Sequence, residues 1–120
     1  MSFDPRPFIE CYRRENAAEL QMIRERAALA LAEARRIAER IQGADSDVRF
    51  VILFGSLAED GPRRKAFDID LAIVGGDVYK AMDAADDSPF KVDIVSLERL
   101  PPHVRDRIAR RGVDLTARAD

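Results

Sequence analysis

The hydrophobic pattern separates a helical part of the chain, up to about residue 44, from a part of mixed strands and helices. Residues 8–42 contain no glycine or proline, and apolar side chains recur there at alternating steps of three and four, which predicts one long helix. The same register, continued toward the amino terminus, meets Arg13 and Asn16, so we expect a break, a bend or a change of partner near residues 14–16. The recurring positions are Leu20, Ile23, Ala27, Ala30, Ala34, Ile37 and Ile41.

The predicted helix is long for a chain of this size. Gly43 is expected to be its C-cap. About 35 helical residues would reach roughly 50 Å, so part of the helix should project or pair with another chain. We therefore expect residues 1–44 to form a helix for partner binding or self-association, and residues 45–120 to form the domain that carries the chemistry.

The pattern after residue 45 favours short strands that alternate with short helices. Asp77 is placed to cap a helix with Val78, Met82 and Ala85 on one face, and Gly112 is placed to end another. This order predicts an α/β (α+β) fold, with a small mixed sheet of three to four strands and flanking helices. Strands are predicted at 48–54, 66–74 and 90–95, helices at 77–85 and 103–111, and a short closing strand at 113–115.

Length and composition argue against several classes of function. A chain of 120 residues with 20 basic and 22 acidic side chains has no basic excess, which argues against nucleic acid as a partner. The single cysteine, Cys11, cannot form an intramolecular disulfide, and the amino terminus has no signal-peptide pattern. No apolar run approaches the roughly 20 residues that span a bilayer. We expect a cytoplasmic protein without a membrane partner.

Two aspartates in one predicted strand are the first candidates for chemistry. Asp68 and Asp70 are two positions apart in an apolar run, so their side chains share one face of the strand. Ionised carboxylates side by side are unfavourable unless a cation lies between them. Oxygen ligands on a rigid strand suit Mg²⁺, which takes its other ligands from water and from substrate phosphates. Asp93 lies in a third apolar run.

A second candidate element follows the first predicted strand. Gly55 allows the backbone to approach a phosphate closely, and the Ser56 hydroxyl and the following amides can donate to phosphate oxygens. A basic run, Arg63, Arg64 and Lys65, precedes the aspartate pair. Such a run is more often a solvated loop, but it can also steady a triphosphate.

Over about residues 48–100, these motifs resemble the nucleotidyltransferase superfamily related to DNA polymerase β, in particular the minimal nucleotidyltransferases that include antitoxins paired with HEPN-domain toxins. The resemblance implies that Gly55 and Ser56 hold a nucleoside triphosphate such as ATP. It also implies that Asp68, Asp70 and Asp93 hold two Mg²⁺ ions. A nucleoside monophosphate would pass to an acceptor hydroxyl, in the HEPN-paired members a tyrosine of the toxin, and Asp93 would share a metal or take the proton.

Three functions remain open at this stage. The first is a Mg²⁺-dependent nucleotidyltransferase that adenylylates a partner protein, as the antitoxin of a HEPN-type pair. The second is an inactive binding module that neutralises or scaffolds a partner through the long helix. Two differences from the family's usual motif favour the inactive module. Glu59 stands where the family often has arginine, and Phe67 stands where the family often has serine. The third is a homo-oligomeric enzyme with a small-molecule acceptor.

Overall fold

The computed structural model describes residues 4–59 and 68–116, and its first element is a single long helix. This helix, α1, runs over Arg6–Ala44. Pro7 lies in its first turn, where the missing N–H of proline would have no intrahelical partner. The helix ends where the Asp45 amide donates to the Ile41 carbonyl at 3.0 Å. Gly43 lies inside the last turn and lacks the positive φ of a glycine cap, so the predicted cap at Gly43 is wrong.

The apolar seam of α1 packs against the domain only from Ile23 onward. Ile23, Ala30, Ala34, Ile37 and Ile41 are buried, as the register predicted, and Ala38 joins them. Residues 4–22 are all exposed, including Leu20, which was placed on the seam. The helix continues through residues 14–16 without a break, and its contact with the domain begins several residues later. It projects, giving the molecule extents of 72 × 31 × 28 Å.

Four strands form one mixed sheet in the order β3-β2-β1-β4, which confirms the predicted fold class. β1 is antiparallel to β2 and to β4, whereas β2 and β3 are parallel. A parallel pair requires a crossover connection, which α2 provides between β2 and β3. A single 3₁₀ turn and α3 lead from β3 to β4. The bounds are β1 Phe50–Phe54, β2 Ile69–Val74, α2 Val78–Ala85, β3 Val92–Ser96, the 3₁₀ turn Leu97–Arg99, α3 Pro102–Arg111 and β4 Val113–Asp114.

The main core lies between one face of the sheet and the two helices α1 and α2. Alternate residues of β1 and β2 supply the sheet side, and alanines of α2 supply the helix side, so these backbones approach closely. Met82 is 45% exposed, so the predicted apolar face of α2 is wrong at that position. No helix in the described ranges is both long and apolar enough to span a membrane. The buried side chains are Val51, Leu53, Ile69, Leu71 and Ile73 in the sheet and Ala81, Ala84 and Ala85 in α2.

Asp45 joins the end of α1 to the beginning of α2. Its buried carboxylate accepts hydrogen bonds from the amides of Asp77, at 2.8 Å, and Asp47, at 3.1 Å, and these bonds lower the pKa of Asp45. The Asp77 side chain in turn accepts from the Tyr79 amide at 2.9 Å, which confirms the predicted cap of α2. Gly76 fits against this junction with φ +76°, and a Cβ there would lie 2.7 Å from Asp45 Oδ2.

The two glycines at the ends of the α1–α2 junction should respond oppositely to alanine. Gly43→Ala has open space around the new methyl group and replaces a helical glycine, so we expect about 0.5–1 kcal/mol of stabilisation. Gly76→Ala meets Val48 and Asp45 at a positive φ, so we expect a loss of at least about 1 kcal/mol. Chemical denaturation of both variants measures these values, and a stabilising Gly76→Ala would contradict the described packing.

Candidate functional site

The strand register brings two of the three predicted acids side by side. Asp70 of β2 is paired with Asp93 of the parallel β3, and on its other side with Phe54 of β1. Directly paired residues point to the same face of a sheet. Asp68 lies two positions before Asp70, and Ile69 between them is fully buried on the opposite face. The three acids therefore lie at one edge of the sheet, where β2 and β3 begin and β1 ends.

Gly55 lies against this group of acids. It follows β1 with φ +77°, and a Cβ on it would be only 2.4 Å from Asp70 Oδ2. The amides of Ala58 and Glu59 both donate to the Gly55 carbonyl at 3.1 Å, so the chain makes one helical turn there, with Ser56 exposed near its start. The structure thus brings together five predicted residues, Gly55, Ser56, Asp68, Asp70 and Asp93. The other three, Arg63, Arg64 and Lys65, lie outside the described residues, as does Phe67.

The charges at this edge act on one another. The pKa of Asp70 is raised to about 6, mainly by partial burial and further by the negative charges of Asp93 and Asp68. Lys91 acts in the opposite direction. Its Nζ lies 3.6 Å from Asp68 Oδ2; the Lys91 side chain is largely in water, and that of Asp68 is half-buried. Proton uptake by Asp70 would relieve the repulsion, and so would a bound cation.

The donor set fits a divalent cation by its chemistry. Three carboxylates that repel one another offer the oxygen ligands that Mg²⁺ prefers, on strands that fix their backbones. Among the described residues, no group of three or more acidic, histidine or cysteine side chains is arranged to hold a metal ion as it stands. Asp68 is also paired with Lys91. Binding a metal through all three acids would require their side chains to move and Lys91 to release Asp68.

The structure adds two arginines that the sequence analysis did not single out. Arg107 Nη2 lies 3.3 and 3.4 Å from the two Glu59 carboxylate oxygens, and Arg111 Nη1 lies 3.4 Å from Glu59 Oε1. They come 48 and 52 residues after Glu59. The only signal in the sequence was their spacing of four on a predicted helix, which places them on one face. Beside them, a pocket of about 120 Å³ opens between α3 and Gly55.

The family model described as "Polymerase beta, Nucleotidyltransferase" matches residues 36–120. The chain belongs to this nucleotidyltransferase family. The match includes all three acids, Gly55 and Ser56, and begins within the buried half of α1. No curated protein matches the chain.

Two solved structures share the nucleotidyltransferase fold at low sequence identity. The toxin–antitoxin MntA–HpeT, in a mutant with two aspartates changed to glutamate, superposes with a TM-score of 0.57 at 18% identity, covering 71% of this chain and 73% of the other. A candidate nucleotidyltransferase from Sulfolobus solfataricus superposes with a TM-score of 0.52 at 20% identity, covering 78% and 85%. This nucleotidyltransferase is therefore related in fold to MntA of a toxin–antitoxin pair.

Removing the Asp70 charge should stabilise the metal-free protein in a pH-dependent way. A carboxyl whose pKa is raised in the folded state favours folding while it is protonated, and that contribution is lost as the pH rises through about 6. We expect Asp70→Asn to match the original chain near pH 3.5. Above pH 7 it should be more stable by about 1–2 kcal/mol, once solvent screening is allowed for. Thermal unfolding in EDTA measures this, and a difference that does not vary with pH would contradict it.

Proposed function

We propose that this nucleotidyltransferase transfers a nucleoside monophosphate, AMP from ATP, to a hydroxyl group of a partner protein, and that it is the antitoxin of a HEPN-type toxin–antitoxin pair. The observation that carries the proposal is that Asp70, Asp93 and the Gly55 backbone lie next to one another at one edge of the sheet. Three separate elements supply these groups. The fold likeness to the toxin–antitoxin MntA–HpeT supports the protein partner.

Each residue has a role that its position supports. The Gly55 backbone and the exposed Ser56 hydroxyl would bind phosphate oxygens, and the three acids would hold two Mg²⁺ ions. Bound Mg²⁺ would neutralise charge on the triphosphate and make the acceptor hydroxyl more acidic. The acceptor oxygen would attack the α-phosphorus while pyrophosphate leaves. Asp93, exposed at this edge, would take the hydroxyl proton or serve as the third metal ligand.

The exposure of the site favours an acceptor that arrives on another molecule. Asp93 is exposed, and the side chain of Asp68 is 41% exposed. The free half of α1 offers a surface for such a partner, because it carries apolar side chains that the domain does not cover. Phe8 is 71% exposed, Tyr12 58% and Leu20 53%. Helical periodicity places them on the side of α1 that becomes the buried seam from Ile23 onward.

Labelled ATP tests the transfer directly. Incubated with Mg²⁺ and its co-encoded partner protein, the chain should move label from α-labelled ATP to the partner. We expect Asp68→Asn and Asp70→Asn each to reduce labelling at least about 100-fold, because each removes a charged metal ligand. Asp86→Asn, an exposed acid at the end of α2, is the matched control and should label normally. Full labelling by Asp70→Asn would refute the proposed roles.

A second candidate is an inactive module that binds its partner without chemistry. The ion pair between Lys91 and Asp68 favours this candidate, because Lys91 occupies one of the candidate metal ligands. Glu59 also favours it, because an acid stands there where the family often has arginine. The labelling experiment separates the two candidates, because the module would bind the partner tightly and transfer no label from ATP.

The exposed half of α1 should carry the partner contact. Tyr12→Ala and Leu20→Ala each remove apolar surface there, and we expect the partner Kd to rise about 10- to 30-fold for each variant. Arg14→Ala, on the opposite side of the helix, is the control and should bind nearly normally. Calorimetry measures the affinities. Light scattering of the isolated chain tests homo-oligomerisation, and a dimer that both alanine variants dissociate would assign this surface to self-association instead.

A further inference from the structure

We propose that Arg107 and Arg111 of α3 bind the phosphates of the nucleoside triphosphate, and that Glu59 holds both guanidinium groups beside Gly55 until the nucleotide displaces it. The inference rests on the proposed function, because it assigns residues to the nucleotide of that same site. It starts from the ion pairs between α3 and the turn after β1.

Gly55 borders both the acids and the pocket that these arginines line. On one side, the Asp70 carboxylate lies against the Gly55 α-carbon. Toward α3, Gly55 lines the pocket of about 120 Å³ together with Glu59, Arg107, Arg111 and apolar side chains that include Val104 and Ile108. Phosphates bound along the Gly55 backbone would therefore lie between the candidate metal ligands and two guanidinium groups. A triphosphate complexed with Mg²⁺ presents both charges, a cation toward the acids and anionic oxygens toward the arginines.

The charges around Glu59 leave a net positive group. One carboxylate faces two guanidinium groups, and the side chains of Arg107 and Arg111 remain 64% and 65% exposed. The Glu59 side chain is only 19% exposed, so water screens these ion pairs only in part. Arginine has five N–H donors arranged to bind phosphate oxygens in pairs. A polyphosphate offers more acceptor oxygens and more negative charge than the single carboxylate, and can therefore replace it.

The backbone of α3 holds the two arginines in place. Ile108 lies between them in sequence and is buried, so the helix cannot rotate freely. At the end of the helix, Gly112 packs so closely that a Cβ on it would lie 2.5 Å from Ile52 Cγ2. Because they are four residues apart, Arg107 and Arg111 lie on the same face of α3, the face that contacts Glu59. Arg110, on the same helix, donates instead to the Asp106 carbonyl at 3.3 Å.

A purely structural role for the ion pairs makes a different prediction. If Glu59 and the arginines only tied the turn at residues 55–59 to α3, removing either side would loosen the turn and weaken nucleotide binding in the same direction. If the arginines bind phosphate, Glu59 competes with the nucleotide for them. Removing Glu59 should then strengthen binding, whereas removing the arginines should weaken it.

Nucleotide affinity of the full chain tests the inference, with Mg²⁺ and ATP as the probe in calorimetry. We expect the double variant Arg107→Ala/Arg111→Ala to raise the ATP Kd at least about tenfold. Glu59→Gln should lower the Kd about two- to fivefold, since it frees the guanidinium groups. Arg107→Lys/Arg111→Lys should fall between the original chain and the double alanine variant, because lysine keeps the charge but not the paired donors. Arg110→Ala is the matched control and should leave the Kd unchanged.

The results separate this inference from the function it rests on. If the original chain binds no ATP, the proposed nucleotidyl transfer fails first, and this inference fails with it. If the original chain binds ATP and the double alanine variant binds equally well, only the inference is overturned. It is also overturned if Glu59→Gln weakens binding as much as the loss of the arginines. Circular dichroism and thermal unfolding of each variant check that the chain as a whole still folds.

Discussion

The parallel pairing of β2 with β3 is the constraint on which the site depends. This pairing places Asp70 beside Asp93, and both strands begin at the edge of the sheet where β1 ends. Parallel neighbours need a crossover, and here the crossover is α2, whose buried alanines let it lie close to the rest of the core. The acids are thus held together by apolar packing on the far side of the sheet, where Ile69 and Leu71 flank Asp70 along the strand.

This arrangement keeps together groups that repel one another. Partial burial and the negative charges of Asp93 and Asp68 raise the pKa of Asp70, and Lys91 offsets part of this rise. The fold tolerates it because its stabilising contacts lie elsewhere, in the seam of α1 from Ile23 onward and in the sheet beneath. Natural proteins commonly break local rules of charge and packing at functional sites and compensate in the core. The geometry is therefore consistent with a site selected for chemistry rather than for stability.

Local patterns in the sequence predicted the elements well and the contacts between distant elements poorly. The seam of α1, the Asp77 cap and the shared face of Asp68 and Asp70 depend on neighbours within a few positions, so periodicity reveals them. The cap residue of α1 is Asp45 rather than Gly43, and the Asp45 side chain bonds to the amide of Asp77, 32 residues away. The exposure of Leu20 and Met82, and the contact of Glu59 with Arg107 and Arg111, depend on which elements meet in space, which periodicity does not contain.

The ion pairs of the site suggest why its acids do not converge on one point in this structure. Asp68 is paired with Lys91, and Glu59 is paired with two arginines, so each side of Gly55 already has its charge partly balanced. The three cationic side chains are largely exposed, whereas the Asp68 side chain is 41% exposed and that of Glu59 19%. On the proposed function, a metal ion would replace Lys91 at the acids while phosphates replace Glu59 at the arginines. One cation would replace another at the acids and one anion would replace another at the arginines, and the displaced Lys91 and Glu59 side chains would turn toward water. An acid at position 59, where the family often has arginine, is then compatible with nucleotide binding. Arg107 and Arg111 of α3 would supply the positive charge instead.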